Sequence, residues 1–241
     1  MLGRALVLFA LIFVAAPDFA LSQTYLSDCN SSRAGGPSPE DIIKACSAAL
    51  ASGTLNSEDT AVALVDRGAA YQHTNQLDFA VADYNAALKI DPKMMPAHVD
   101  LATIAAQRGD LQQAKQEVDQ ALHLKSKDPV ALALRCHLRA LDDDAADAIP
   151  DCDESIELRP QDANAWTARA TAELKLGKQQ EAKADCDSAL QMNPTLPAAY
   201  YLRGIAEHRL GNIKDGDSDM QMAKGMAQGI DLYYARYGIT P

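Results

Sequence analysis

Leu64-Val65-Asp66-Arg67-Gly68-Ala69-Ala70-Tyr71, closed by Ala87-Leu88-Lys89-Ile90-Asp91-Pro92, returns about every 34 residues along this 241-residue chain. A fixed period of that length marks an array of repeats, each burying its apolar face on its neighbours. Each repeat has a large residue early, Leu64, His98, Leu132, Trp166 and Tyr200. Four residues later a small one, Gly68, Ala102, Cys136, Ala170 and Gly204, stands where paired helices must touch. The turn carries Gly109, Gly177 and Gly211, with Asn75 and Asp143 in the same slot, and the second helix opens on Ala80, Ala114, Ala148, Ala182 and Gly216. Small residues let helix backbones approach closely, so the pattern is a packing code. Pro92, Pro129, Pro160 and Pro194 end successive repeats, since proline cannot continue a helix. Their gaps of 37, 31 and 34 residues imply three extra residues, Lys125 to Lys127, in one repeat and three fewer in the next.

These slots resemble the tetratricopeptide repeat over roughly residues 61–228. The resemblance implies an all-α fold, a right-handed superhelical solenoid of antiparallel helix pairs, with five repeats at 61–94, 95–128, 129–162, 163–196 and 197–228. It also implies a concave face, lined by the first helices, that receives an extended peptide or a helix of a protein partner. Carried over residue by residue, that face holds Val62, Val65, Ala69 and Gln72, then Val99, Thr103 and Ala106, then Ala133, His137 and Ala140. It continues through Asn164, Thr167, Thr171 and Leu174 to Tyr201, Ile205 and His208. The Lys, Asn and Arg clamp by which some members hold chaperone carboxylate tails is absent from these positions. Tyr201 and Leu174 are the expected anchors, because large side chains dominate interface energetics.

The ends differ from the repeats. Ile42, Cys46, Ala49 and Leu50 align with Ala80, Tyr84, Ala87 and Leu88, so Glu40 to Ala51 reads as a second-type helix inside an N-terminal capping segment, 23–60. The tail, 229–241, holds Tyr233, Tyr234 and Tyr237, which are expected to cover the last exposed apolar face. Residues 1–22 read as a signal peptide: Arg4, an apolar run from Ala5 to Ala16, and the small-x-small site Ala20-Leu21-Ser22 with cleavage before Gln23. Twelve apolar residues are too few to span a bilayer. A lipid-anchored form, acylated on Cys29, is disfavoured by Asp28 immediately before it. The mature chain is thus expected in a bacterial periplasm or outside the cell.

Export permits disulfides. Cys136 and Cys152 lie 16 residues apart and equidistant from the turn at Asp144, so they sit level in an antiparallel hairpin; a bridge there is worth about 3 kcal/mol in the chain-entropy account. Two buried thiols packing as small hydrophobes are the alternative. Cys29 and Cys46 are positioned to staple the leading segment to the cap helix, which leaves Cys186 as a buried free thiol. The same spacing of 16 pairs Arg67 with Asp83, Arg135 with Asp151, Arg169 with Asp185 and Arg203 with Asp219, while Leu101 and Glu117 break the series. Repeated this way, the pairs are scaffold rather than a site.

The acidic run Asp142, Asp143, Asp144, Asp147, Asp151, Asp153, Glu154 and Glu157 lacks the glycine of a calcium loop and reads as a solvated turn and helix face, or as a docking patch for a basic partner. Pro150 should delay or kink the helix there. A net charge of −11 argues against nucleic acid, whose affinity rests on neutralising phosphates. With 48% apolar but only 5% aromatic residues, the chain suits close helix packing. The five histidines fall in no metal or catalytic motif, and Met220, Met222 and Met226 at helical spacing read as packing. The sequence thus predicts a non-enzymatic binding module without cofactor or metal. It would be an exported adaptor for a protein or peptide in envelope assembly or secretion; a small-molecule or metal-binding accessory protein of the periplasm is the alternative.

Overall fold

The computed structural model describes residues 26–29, 36–142 and 144–241, and the chain divides after Pro92 into two compact bodies. The signal peptide, the cleavage point before Gln23 and Asp143 lie outside the described residues. Every regular element described is helical.

The first body holds α1 (Pro39–Ala51), α2 (Ser57–His73) and α3 (Leu77–Ile90). Ser38 and Asn56 start α1 and α2 by accepting the backbone N–H of Asp41 and Asp59 on their side-chain oxygens, which satisfies donors that a helix start leaves free. The helix α1 packs on α2, and α2 on α3. A bridge from Cys29 to Cys46 ties the helical turn 26–29 to α1, and Leu26, both cysteines and Ala63 form one buried cluster. Gly68 is forced by its neighbour: a Cβ there would lie 2.7 Å from the ring of Tyr84, which is fully buried and donates its hydroxyl hydrogen to Gln72 Oε1.

The second body holds four more hairpins. Their first helices are α4 (Met95–Arg108), α6 (Pro129–Leu141), α8 (Ala163–Lys175) and α10 (Pro197–Arg209). Their second helices are α5 (Leu111–Leu124), α7 (Ala145–Leu158), α9 (Gln179–Met192) and α11 (Ile213–Met226). A short helix, α12 (Ile230–Ala235), follows. Within this body each hairpin packs on the next, so it is an all-α repeat solenoid.

The second helices begin at 77, 111, 145, 179 and 213, an unbroken step of 34, and each runs 14 residues. This corrects the reading of an insertion at Lys125 to Lys127. Pro129 is the first residue of α6, as Pro197 is of α10, whereas Pro160 and Pro194 stand in the turn before a first helix. A first helical position needs no N–H and accepts proline readily, so two proline slots, not added residues, give gaps of 37 and 31. Pro150 does not delay α7 either: it is exposed in the second turn, and the neighbouring carbonyl of Asp147 accepts a hydrogen bond from Arg139.

The turn slots behave as their residues require. Asn75, Gly109, Gly177 and Gly211 have φ of 59°, 80°, 72° and 90°, the left-handed conformation that ends a helix. Level pairs 16 residues apart close each hairpin: Gly68 with Tyr84, Ala102 with Val118, Ala170 with Cys186 and Gly204 with Met220. Cys136 and Cys152 occupy the same two slots and are disulfide-bonded, while Cys186 is free and buried.

The charged pairs form a ladder. Arg67, Arg135, Arg169 and Arg203 each donate two hydrogen bonds, 2.6 to 2.9 Å, to the aspartate 16 residues ahead. Three of them also reach 16 residues back, Arg135 to Asp119 (3.5 Å), Arg169 to Asp153 (2.7 Å) and Arg203 to Asp187 (2.8 Å), so one guanidinium joins two hairpins. Arg67 turns to Ser47 instead. Where Leu101 interrupts the series, His98 Nδ1 meets Glu117 at 2.7 Å. Bidentate geometry on half-buried partners places these above the roughly 0–1 kcal/mol of an exposed pair. The acidic run is largely ion-paired: Lys115 meets Asp142 and Asp144, Arg135 and Arg139 hold Asp151, Arg169 holds Asp153, and Lys127 meets Glu154.

Candidate functional site: a groove that holds the chain's own C-terminus

The first helices of the second body present Thr103, Ala133, His137, Thr167, Thr171, Leu174, Tyr201 and Ile205, and the tail lies against them. Gly229, with φ of 79°, turns the chain away from α11 into α12. Tyr234 then stacks on Tyr201 with ring centroids 5.4 Å apart, and its side chain hydrogen-bonds Thr171. Tyr233 meets Tyr234 edge-on at 5.1 Å and Tyr237 at 5.5 Å, lies parallel to the ring of His137, and places its hydroxyl 3.0 Å from His137 Nε2. Arg209 of α10 fastens the end: Nε and Nη2 donate to the carbonyl of Thr240 and Nη1 to that of Leu174. The Arg236 guanidinium reaches the backbone at Gly109, the left-handed end of α4.

Ile230, Tyr234 and Ile239 thereby enter one buried cluster with Leu141, Leu174, Tyr201 and Ile205. The tail covers apolar surface, but that surface is the groove of the first helices, with Met220 and Ala223 of α11 in the same cluster. The groove offers the large apolar side chains Leu174, Tyr201 and Ile205 close together, whereas the exposed surface of α11 mixes Met222 and Met226 with Lys214, Asp217, Gln221 and Lys224. Burial of apolar area therefore favours the groove. The two expected anchors, Tyr201 and Leu174, are 3% and 2% exposed beneath the tail.

The groove stays open as a cavity of about 330 Å³, lined by Tyr234 of the tail with Thr103, Val130, Ala133, Leu134, His137, Asn164, Thr167 and Ala198, and by Asp162, which caps α8 by accepting from the Asn164 N–H. Val130, Leu134 and Ala198 were not among the expected groove residues. Val130 and Leu134 each stand three residues before an expected groove residue of α6, Ala133 and His137, so helical spacing was the available signal. Val99 and Ile205 are buried, and His208 faces Asp217 at 3.5 Å near the end of α10. Val65, buried, and Ala69, half-buried, belong to the first body.

The groove is low in charge. Burial pushes the His137 imidazole down to about 4, so it is neutral beneath Tyr233, and burial raises the phenols of Tyr233 and Tyr234. Outside the groove's lining, Glu173 is buried with Oε2 unpartnered; burial first, then the charge of Asp185, push its carboxyl up. Among the described residues no group of three or more His, Cys, Asp or Glu is placed to hold a metal, and no helix is long and apolar enough to cross a membrane.

Comparison with known proteins gives a consistent picture. Profiles described as tetratricopeptide repeat match residues 64–137 and 163–196. A tetratricopeptide repeat protein from Parabacteroides merdae superposes with a TM-score of 0.63 at 18% identity, over 93% of this chain and 85% of its own. PilF of Pseudomonas aeruginosa superposes with a TM-score of 0.58 at 18% identity, over 76% of this chain and 90% of its own. A thermophilic TPR protein of Thermus thermophilus gives 0.59 at 15% identity, over 73% and 95%. Among curated proteins no sequence relative matches significantly. With the 34-residue frame, the close-contact slots and the hairpins on the page, the chain is a tetratricopeptide repeat protein.

Proposed function

We propose that this protein is an exported, non-enzymatic adaptor that holds a segment of a protein partner in the groove of its second body, within cell-envelope assembly or secretion. The observation that carries this reading is the tail: the first helices already bury a peptide segment by aromatic stacking and backbone hydrogen bonds. The neighbouring cavity, about 330 Å³ and mainly apolar, has room for a further side chain of the bound segment. The leader sequence and two disulfides, which persist in oxidising compartments, support export. The test is a photo-crosslinking amino acid at Val130 or Asn164 in the protein expressed in its native cell. Partner peptides attached at these positions, and not at exposed Leu232 outside the groove, are the expected result; no attachment at either groove position overturns the assignment.

The size and apolar lining of that cavity also favour the second reading, a small-molecule accessory protein. Stabilisation by a small apolar ligand in a thermal-shift screen, with no crosslinked protein, would establish it.

A further inference from the structure

The tail continues the repeat frame and yet does not stack as a repeat. Tyr234, Gly238 and Ile239 stand 34 residues after Tyr200, Gly204 and Ile205, the slots of a first helix. In the preceding repeat, Met192 packs in one cluster with Tyr200 of the following first helix. Its equivalent, Met226, is exposed, because Tyr234 is in the groove rather than beside it. The tail thus has two seats, the occupied groove and the vacant stacking position on α11.

Building on the groove reading above, we infer that residues 229–241 are a displaceable resident ligand. The groove is accordingly a receptor for a short helix bearing two adjacent aromatic side chains, and a partner segment of that chemistry must evict the tail. The occupied seat defines the recognition. The first aromatic ring covers His137 and bonds its Nε2, the next stacks on Tyr201, and a backbone carbonyl beyond them accepts from Arg209. The tail is joined to α11 through the left-handed Gly229 and the exposed Lys224–Asp231 ion pair, and its docked helix leaves Leu232 largely in solvent, so eviction breaks contacts of the tail and not those between repeats. Since the tail is tethered, it competes at high effective concentration, and an outside segment sees an affinity lowered by the docked fraction.

The probe is a fluorescein-labelled peptide of residues 229–241, added to the full chain and followed by anisotropy. Two tail variants leave the first-helix side of the groove intact: Tyr234→Ala and Ile239→Asp. Each should bind the labelled wild-type peptide at least tenfold more tightly than the wild-type protein does, with unchanged helicity. Should Tyr234→Ala fail to fold, Ile239→Asp provides the same comparison. Peptide uptake no better in either folded variant than in wild type would overturn the inference and make the tail a fixed part of the core. If Val130 still crosslinks a partner in that case, the groove reading stands without it; if nothing crosslinks there but the peptide binds, only the adaptor reading falls.

Discussion

Tyr234 lies stacked on Tyr201, 5.4 Å between centroids with the rings inclined by 16°, although 33 residues separate them and the helices that carry them make few other contacts. The stack is the centre of the tail's attachment. Tyr201→Ala should therefore release the tail, with amide protection lost over residues 230–239 in hydrogen exchange while α4 to α11 keep theirs. The truncation removes about 2–4 kcal/mol of local stability, as for other large buried rings. Global loss of protection in that variant would show that the stack supports the whole second body.

Acid should loosen the same contact. His137 is held neutral with a folded pKa of about 4, below the roughly 6.5 of an exposed imidazole, so its contribution is complete above pH 6.5 and is lost as pH falls toward 4. At pH 5 the loss is about 1–2 kcal/mol. Tyr233 faces the imidazole, Tyr237 packs on Tyr233, and Arg236 is the nearby cation of the tail. Tail exchange rates should rise between pH 7 and pH 5 in the wild type, and His137→Asn should remove that dependence; equal slopes in both proteins would assign it to the carboxylates.

Glu173 works in the opposite direction. Its carboxyl is raised by burial and by Asp185, so the folded state keeps a proton that the unfolded chain loses, and stability falls as pH rises above the ordinary glutamate range. Glu173→Gln retains the shape without the charge. The melting temperature of that variant should exceed wild type at pH 8, by an amount worth about 1–2 kcal/mol, and match it near pH 4. A variant less stable at pH 8 would mean that the charged form is the one the fold stabilises.

Reduction tests the third hairpin. Opening the Cys136–Cys152 bridge, which closes a loop of 16 residues, should cost about 3 kcal/mol. Without reductant or denaturant no cysteine should react with an alkylating agent, since Cys186 is buried; with denaturant alone, one should. Three reactive thiols in denaturant would show that one bridge is not formed in the native compartment.

The legible parts of this molecule are those written within one hairpin. The Arg–Asp ladder, the Cys136–Cys152 pair and the Gly68–Tyr84 contact all follow from a separation of 16 across one turn. What escaped was either ambiguous or distant. Pro129 misled because proline suits both the end of one helix and the start of the next. The tail's seat was hidden because nothing in Tyr233 reveals that its partner is His137 rather than the neighbouring α11, and composition alone cannot choose between two apolar faces. The frame shared by Tyr200 and Tyr234 even points to the wrong one.

Ladder and hairpin contacts span about 16 residues, and such local wiring closes quickly during folding; the hydrogen bond between Tyr233 and His137 spans 96 residues. The entropy of closing so long a loop is recovered only after the intervening hairpins have formed a surface to land on. Folding order is thereby set by the architecture itself: the hairpins that build the groove close first, and the tail docks only on a surface that already exists. Each folding molecule thus passes through a short interval of open receptivity that the finished protein closes for itself.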